Sequence, residues 1–572
     1  MAADPLLARD VDDLDAALIT AWATLTAPGA PFEVGEVLVR DQALRCFVQA
    51  PETVAQIWAA TRPFGEKTYL VFGEERVTYA QAHRIVDRVA GWLSAQGVGR
   101  GDRVAIAMRN YPEWMLIYWA CMTLGVAAVG MNAWWVAEEM DTALRDARPK
   151  VVFCDAERWE RLRDRPAVAS ASVIVLARTP QTDGTVAWEA VIESDPAKTV
   201  ARIDPDDDAC IFYTSGTTGT PKGAQLTHRG CVNNLMNIAF GMAVQALASG
   251  AASADEPTVQ AVALVTTPLF HVTANNCLAH PATAAGGALV LMRKWDAGEA
   301  LRLIETERVT AMSGVPTMVR ELLSHPDAMN RDLSSLASLV GGGAQVPPDL
   351  VARVEAFPSP VRPGSGYGMT ELCGALTNIS GEFFAARPES CGRILPTFEV
   401  RILGDQDEVL AIGETGELSV RGVGVIKGYL NRPEETADAI RDGWLSTGDI
   451  ARLDADGYLY VVDRKKDMIL RGGENVYCAE VEAALFRHPA VAEACAFAVA
   501  DERLGEEVGA VVRLHPESPV TADDLRQTLA GLIARHKTPR YIWLVDQPLP
   551  RNASGKVLRR DLRDALSPAD AG

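Results

Sequence analysis

Chemistry starts at a loop dense in hydroxyls and backbone amides, Thr214-Ser215-Gly216-Thr217-Thr218-Gly219-Thr220-Pro221-Lys222-Gly223, which follows the apolar run Ala209 to Tyr213. Its glycines allow close backbone approach to a ligand. Its hydroxyls and amides can donate to phosphate oxygens, and Lys222 offsets their charge. The spacing of Gly216, Gly219 and Lys222 does not match GxxxxGK[ST], so this is phosphate handling by a loop other than a Walker A.

Three further clusters and one histidine carry usable groups. Gly364-Ser365-Gly366-Tyr367-Gly368-Met369-Thr370-Glu371 leaves room for a planar ligand against Tyr367 and adds a hydroxyl and a carboxylate, with Glu371 able to hold the Mg²⁺ that accompanies ATP. A tight turn accounts for the same glycines. Asp442-Gly443-Trp444-Leu445-Ser446-Thr447-Gly448-Asp449 ends on an aspartate that can accept from ribose hydroxyls, or that simply closes a turn. Lys556, after Ser554-Gly555, is either a solvated charge or a group that a moving domain places over reacting anions. His271, in Pro268-Leu269-Phe270-His271, either lines a substrate site or is a satisfied, partly buried histidine. Trp134 and Trp135 read as packing residues. The eight histidines show no local acid and nucleophile partners for hydrolysis.

The elements that must position these groups alternate. After an irregular opening, Val77 to Ala82 introduces a helical pattern that continues through Leu93, with Thr78 or a neighbour able to cap its start; Val104–Ala107 is a buried strand and Pro112 opens the next helix. Strands at 126–130 and 151–153 flank a helix from Ala137 to Ala147, and strands at 209–213, 263–265, 288–292 and 336–340 continue the pattern. This spacing predicts an α/β fold with a largely parallel sheet. The stretch 246–254 reads as a flexible loop. After about Arg393, alternating segments at 398–402, 416–421 and 458–462 predict a small barrel-like or antiparallel subdomain. The last segment, with helices at 479–486 and 521–533 and strands at 494–499 and 509–514, predicts a compact α+β domain. The expected division is a large N-terminal domain of layered α/β subdomains over 1–465 and a mobile C-terminal domain over 466–572.

At 572 residues, 48% hydrophobic and 23% charged, the chain has a globular balance. Its net charge of -20 disfavours nucleic acid and anionic membranes as partners. The start lacks a signal-peptide pattern, and no uninterrupted apolar run of membrane-spanning length stands out. The ten cysteines form no CxxC pair and several sit in apolar runs, so reduced, buried thiols and a cytoplasmic location are expected. A monomer or homodimer is the expected assembly.

Taken together and in order, Tyr213–Gly223, Tyr367–Glu371, Gly413-Glu414-Thr415-Gly416-Glu417-Leu418, Gly448-Asp449, Arg464-Lys465-Lys466-Asp467, Gly472-Gly473-Glu474-Asn475-Val476 and Pro550–Lys556 resemble the adenylate-forming (AMP-binding) superfamily of acyl-CoA synthetases, peptide-synthetase adenylation domains and luciferases. The resemblance covers roughly residues 60–565. It implies that Thr214, Ser215, Gly216, Thr217, Thr218, Gly219 and Lys222 grip the β- and γ-phosphates of ATP. Tyr367 and Gly368 would meet adenine, with Gly341, Gly342, Gly343 and Ala344 on its other side. Thr370 would touch the α-phosphate, Glu371 would bind Mg²⁺, and Asp449 with Arg464 would hold the ribose. Lys556 would bridge carboxylate and α-phosphate, with His271 at the acyl site. Lys466 would be a hinge, and Gly472 and Gly473 would line the tunnel for the CoA thiol.

Two departures stand out: Cys478 replaces a usual proline, and Val272-Thr273-Ala274 lacks the usual glycine after His271. The implied function is a carboxylate–CoA ligase for a fatty or other apolar acid, using ATP, Mg²⁺ and CoA. The alternatives are a ligase loading acyl-AMP onto a carrier protein and a catalytically silent metabolite-binding relative.

Overall fold

A computed structural model describes residues 10–170, 173–197, 202–214, 221–250, 259–342, 346, 348–357, 359–553 and 555–572. It has a two-domain α/β architecture in which two large sheets build the N-terminal domain. In the first, strands run in the order Lys222–Thr227, Asp208–Thr214, Ala127–Gly130, Arg103–Ala107, Val151–Cys154, Val173–Leu176 and Val186–Ala187; all pairs are parallel except the first. The strands are buried on both faces, as their unbroken apolar runs require. The second sheet carries a parallel core of Thr68–Phe72, Ala288–Leu291, Val262–Val265, Ala311–Gly314, Ser338–Gly341 and Arg362–Ser365.

Local signals set several helices where expected. Thr78 accepts from the Gln81 amide while the Gln81 side chain accepts from the Thr78 amide, a capping box that starts Tyr79–Ala95. Pro112 occupies the first turn of Pro112–Leu124, and Gly125 ends it in the left-handed region.

Other expectations change. Of the two forms expected after Arg393, barrel-like or antiparallel, the strands take the antiparallel one, and they hydrogen-bond onward from the parallel sheet through Thr377–Ser380, Gly392–Ile394, Tyr458–Arg464, Trp444–Leu453, Gly416–Gly422 and Phe398–Leu403. Among the described residues this path stays open. The opening is not irregular: a helix spans Val11–Thr26 and buries Leu14, Leu18 and Ala21 on one face, and a hairpin pairs Val34–Val39 with Gln42–Phe47. Arg40 and Asp41 both take positive φ at its tip, the twist a two-residue hairpin turn needs. The stretch 246–248 is not loop but the end of the helix His228–Ala248, because Ala248 is buried; residues 251–254 lie outside the described residues. That helix has the length and apolarity to cross a membrane, but its faces are packed within the domain and bury Cys231, Val232, Phe240 and Val244.

The C-terminal strands Ile469–Arg471, Glu474–Val476, Val491–Asp501, Gly505–Leu514 and Tyr541–Val545 form one sheet packed by Cys478–Leu485 and Ala522–Leu529 around Val481, Val508, Leu525 and Ile542. The helix expected to reach Ile533 stops at Leu529, before Gly531. All ten thiols are free.

Candidate active site

Thr214 ends the strand Asp208–Thr214, and Lys222 begins the antiparallel return, so the two stand opposite one another in register. Ser215, Gly216, Thr217, Thr218 and Gly219 lie outside the described residues. The Lys222 ammonium sits 5.3 Å from the centre of the Tyr429 ring. Tyr429 Oη donates to Glu371 Oε1 at 3.0 Å. Glu371 belongs to the short turn Thr370–Leu372 and is buried; its backbone carbonyl accepts from Ile426 at 3.0 Å. Burial pushes its carboxyl pKa up, opposed by hydrogen bonds that include Tyr429 and Thr214 and by the Arg464 charge. Thr214, Lys222, Glu371 and Tyr429 therefore form one group.

A second group abuts it. Tyr367 Oη donates to Asp449 Oδ2 at 2.5 Å, and Arg464 Nε lies 3.1 Å from Asp449 Oδ1. Strand pairing places Asp449 directly across from Arg464. Burial and the Asp449 charge push the Tyr367 hydroxyl up, keeping it a donor. Gly368 pairs with Ala375, and a Cβ there would lie 2.1 Å from the Gly374 carbonyl oxygen, so only glycine fits. Gly342 follows the strand Ser338–Gly341 and donates to the Gly314 carbonyl at 2.9 Å; Gly343 and Ala344 lie outside the described residues.

Lys556 reaches this place from the far end of the chain. Asn552 closes a tight loop around it, donating to the Lys556 carbonyl at 2.8 Å and accepting from the Lys556 amide at 3.0 Å. Gly555 takes φ 85° and presses on Val315, and Arg551 Nη1 donates to Thr317 Oγ1 at 3.3 Å, so the loop docks on the large domain. Water still reaches the lysine, yet protein surrounds it in the cleft. Burial, with repulsion from Arg464 and Lys466, brings its pKa down to about 8 against the pull of Asp449 and Glu371. His271 feels the same lysine: burial first, then the Lys556 charge, lowers its imidazole to about 4, so it is neutral at ordinary pH.

Not every expected residue joins. Gly472 and Gly473 form the turn of the hairpin Ile469–Val476 with positive φ, beside Leu504, and no recorded contact ties them to the cluster among the described residues. Thr370 is brought in by its neighbour Glu371, through the turn both share.

Sequence reasoning missed Tyr429, which lies in Gly428-Tyr429-Leu430 with no local signal of its role. It missed Asn110, whose buried amide donates to the Thr267 carbonyl at 3.0 Å and accepts from the Leu269 amide at 2.9 Å, fixing the turn that carries His271. It also missed a guanidinium cluster at the ends of the first-sheet strands. Arg109 stacks 3.1 Å from the centre of the Trp134 ring, and Arg158, Arg161 and Arg293 stand close by with Asp155 and Glu157. Trp134 is thus half-exposed beneath a cation and is not simply a packing residue, whereas Trp135 is buried edge-on to Tyr213.

Lys556 from the C-terminal loop thus meets the Glu371 and Tyr367–Asp449–Arg464 groups of the large domain, and comparisons with known proteins give the family. Residues 56–430 match the AMP-binding enzyme family, and residues 480–556 match the AMP-binding enzyme C-terminal domain. The chain is 38% identical to a feruloyl-CoA synthase of Amycolatopsis over 86% of its length and 94% of the relative's. It is 33% identical to a long-chain-fatty-acid–CoA ligase of Mycobacterium tuberculosis over 86% of its length and 93% of that protein's. The structure of o-succinylbenzoate–CoA synthetase from Bacillus subtilis, in complex with ATP and magnesium, superposes with a TM-score of 0.73 at 30% identity, over 89% of this chain and 99% of the other. The chain belongs to the AMP-binding enzyme family, and its chemistry is that of an AMP-forming acid–thiol ligase.

Proposed function

We propose that the protein joins a fatty or similarly apolar carboxylic acid to CoA, by way of an acyl-adenylate, with release of pyrophosphate and AMP. ATP, Mg²⁺, CoA and the acid are its small-molecule partners. The observation that carries this reading is the convergence of Lys556 with His271, Glu371 and the Tyr367–Asp449–Arg464 group in one cleft.

In the first step a carboxylate oxygen attacks the α-phosphorus and the bond to pyrophosphate breaks. Both reactants are anions, so the attack needs a cation between them, which is the role given to Lys556. Tyr367 would face adenine, Asp449 and Arg464 would hold the ribose, and Thr214, Lys222 and the loop between them would take the departing phosphates. A neutral His271 would flank the acid without adding charge. In the second step the CoA thiolate attacks the acyl carbonyl and AMP leaves. The stacking of Arg109 on the half-exposed Trp134 ring, with the exposed Arg293 close by on Glu157, supports an approach for the phosphates and base of CoA along this edge.

Glu371 fits a hard cation, being a buried carboxylate beside the phosphate-side hydroxyl of Thr214. Mg²⁺ bound there would neutralise phosphate charge, while Tyr429 holds the carboxylate and the Ile426 amide holds the Glu371 backbone carbonyl. The domain limits are proposed at 1–465 and 466–572, with Lys466, in the turn after the strand Tyr458–Arg464, as the hinge about which a mobile C-terminal domain swings between the steps. Gly472 and Gly473 would reach the thiol path only after that movement. An apolar acid is supported by Val272 and Ala274, buried immediately after His271. A cytoplasmic location accords with the free thiols.

Incubation with ATP, CoA and acids of graded length and ring content, with thioester read by HPLC, tests the proposal. Acyl-AMP without thioester would shift the reading to carrier-protein loading, and no pyrophosphate exchange with any acid would leave a silent binding protein.

A further inference from the structure

A cavity of about 670 Å³ lies apart from the cleft, between the N-terminal helix and hairpin and the antiparallel end of the second sheet. Its walls include Trp22 and Arg45 on one side and Arg393, Phe398, Glu399 and Trp444 on the other. None of the cleft residues Tyr367, Glu371, Asp449 or Lys556 lines it. Trp22, Thr26, Val34 and Arg45 precede the span matched to the adenylating family, so one wall of this cavity is built by a segment outside that span.

Two cations in it, Arg393 and Arg45, make no ion pair among the described residues. Arg393 Nη1 is shielded from water and has no hydrogen-bond partner among the described residues. The Arg393 guanidinium stands instead between two rings, 5.6 Å from the centre of Trp22 and 5.7 Å from that of Tyr458. The Arg393 side chain is half-buried, so part of it faces the cavity, and its unmet donor makes an acceptor beside it favourable. Arg45 is exposed and makes no ion pair or hydrogen bond among the described residues. Glu399 is the one acid of the lining, so the cavity carries a surplus of one positive charge. Phe398, Trp22 and Trp444 supply apolar planar walls, and Arg401 stacked 4.3 Å from the centre of Trp444 holds that ring in place. The volume is that of a small-molecule site.

We propose that this cavity binds an aryl monocarboxylate, with its ring between the tryptophans and its carboxylate on Arg393 and Arg45. A planar carboxylate matches the fork of a guanidinium, and a single negative charge matches the surplus. The site is distinct from the acid site of the ligase reaction and does not depend on which acid that reaction takes.

Calorimetric titration with 2-naphthoate tests it, on the full chain with the cleft first saturated by 5′-O-(N-hexanoylsulfamoyl)adenosine, an unreactive acyl-adenylate mimic. One binding event per chain is expected. Arg393→Ala should weaken it about 10- to 100-fold, the range for loss of a charge-assisted pair, and Arg393→Lys should fall between. Arg45→Ala, which removes an exposed and unpartnered side chain and so spares folding, should weaken it about 10-fold. The neutral isostere 2-naphthol should bind more weakly and ignore both substitutions. No saturable heat with 2-naphthoate, equal binding by the Arg45→Ala protein, or equal binding of 2-naphthol overturns the proposal.

Discussion

Replacing Lys556 probes the mechanism most directly, because the lysine's charge and its position make separate forecasts. At about 4 Å and an effective dielectric near 20, one cation–anion pair is worth about 4 kcal/mol. Some of that is offset by Arg464 and Lys466, which repel the same ammonium. Lys556→Ala should therefore slow acyl-adenylate formation by about 10²- to 10³-fold, since each 1.36 kcal/mol is about tenfold in rate. Transfer of a supplied acyl-adenylate to CoA should change by less than about tenfold, because the thiolate attacks a neutral acyl carbonyl with the lysine out of its path. The two halves are read apart, by pyrophosphate exchange and by thioester formed from synthetic acyl-AMP. The pH profile gives an independent check. With the free ammonium lowered to about 8, its proton is present below that value and lost above it, so kcat/KM for ATP in the exchange assay should fall as pH rises through about 8. Bound ATP is anionic and raises the lysine's pKa, so the matching fall in kcat should come at higher pH. Lys556→Arg keeps its charge and should abolish the fall. His271, near 4, contributes nothing in this window. Equal loss of both half-reactions in Lys556→Ala, or a wild-type kcat/KM flat from neutrality to pH 9, would falsify the role given to this lysine.

Three other substitutions follow from the same geometry. Tyr429→Phe removes the donor to Glu371 and should raise the Mg²⁺ concentration needed for half-maximal exchange by about 10- to 100-fold, the worth of one hydrogen bond to a charged group, with Glu371→Gln larger still; an unchanged Mg²⁺ requirement in both proteins would refute the assignment. Asp449→Ala should erase most of the enzyme's preference for ATP over 2′-deoxyATP, measured as a ratio of kcat/KM values, whereas a general loss with the ratio intact would mean that Asp449 serves only to hold Tyr367 and Arg464. Gly368→Ala forces a methyl to 2.1 Å from the Gly374 oxygen and should cost about 1–3 kcal/mol, seen as a lowered Tm, with no loss if the strand pair simply spreads.

The sequence is most legible where chemistry and conformation are both local. Thr78 with Gln81, Pro112 and Gly125 announce helix ends because caps act within one turn. The glycines around Tyr367 and Glu371 announce a crowded, polar site for the same reason. Tyr429 carries no such mark. Its contact with Glu371 arises because the backbone after Gly422 returns beside the turn Thr370–Leu372, bonding Ile426 to Glu371, and spacing along the chain does not encode that approach. The antiparallel strands were recognisable one by one from alternation, yet nothing in alternation says that Thr377–Ser380 and Gly392–Ile394 would weld them to the parallel sheet. The N-terminal helix was missed because its apolar stripe of Leu14, Leu18 and Ala21 is narrow and interrupted by acids.

The docking of Lys556 also bears on why a ligase of this kind keeps its lysine on a separate domain. Among the described residues, the contacts that seat the C-terminal domain on the large one include the Arg551–Thr317 hydrogen bond, the packing of Ala553 on the large-domain core, the approach of Gly555 to Val315 and the stacking of Arg320 on Phe486. Each is of a kind worth about 1 kcal/mol or less at a partly wet surface, so the seated posture is held without being locked. A firmer seat would favour adenylation but leave the lysine across the path of the thiol. The cleft's repulsion from Arg464 and Lys466 works in the same direction. It disfavours the ammonium in the empty site and is reversed once anionic ATP arrives, so substrate itself supplies the attraction that completes the first posture. When pyrophosphate leaves, part of that attraction leaves with it, and the balance tips toward release. The weakness of the interface is a requirement of the two-step chemistry, and a thiol-reactive crosslinker as long as an arginine side chain, joining cysteines introduced at Thr317 and Arg551, should preserve pyrophosphate exchange while suppressing thioester formation.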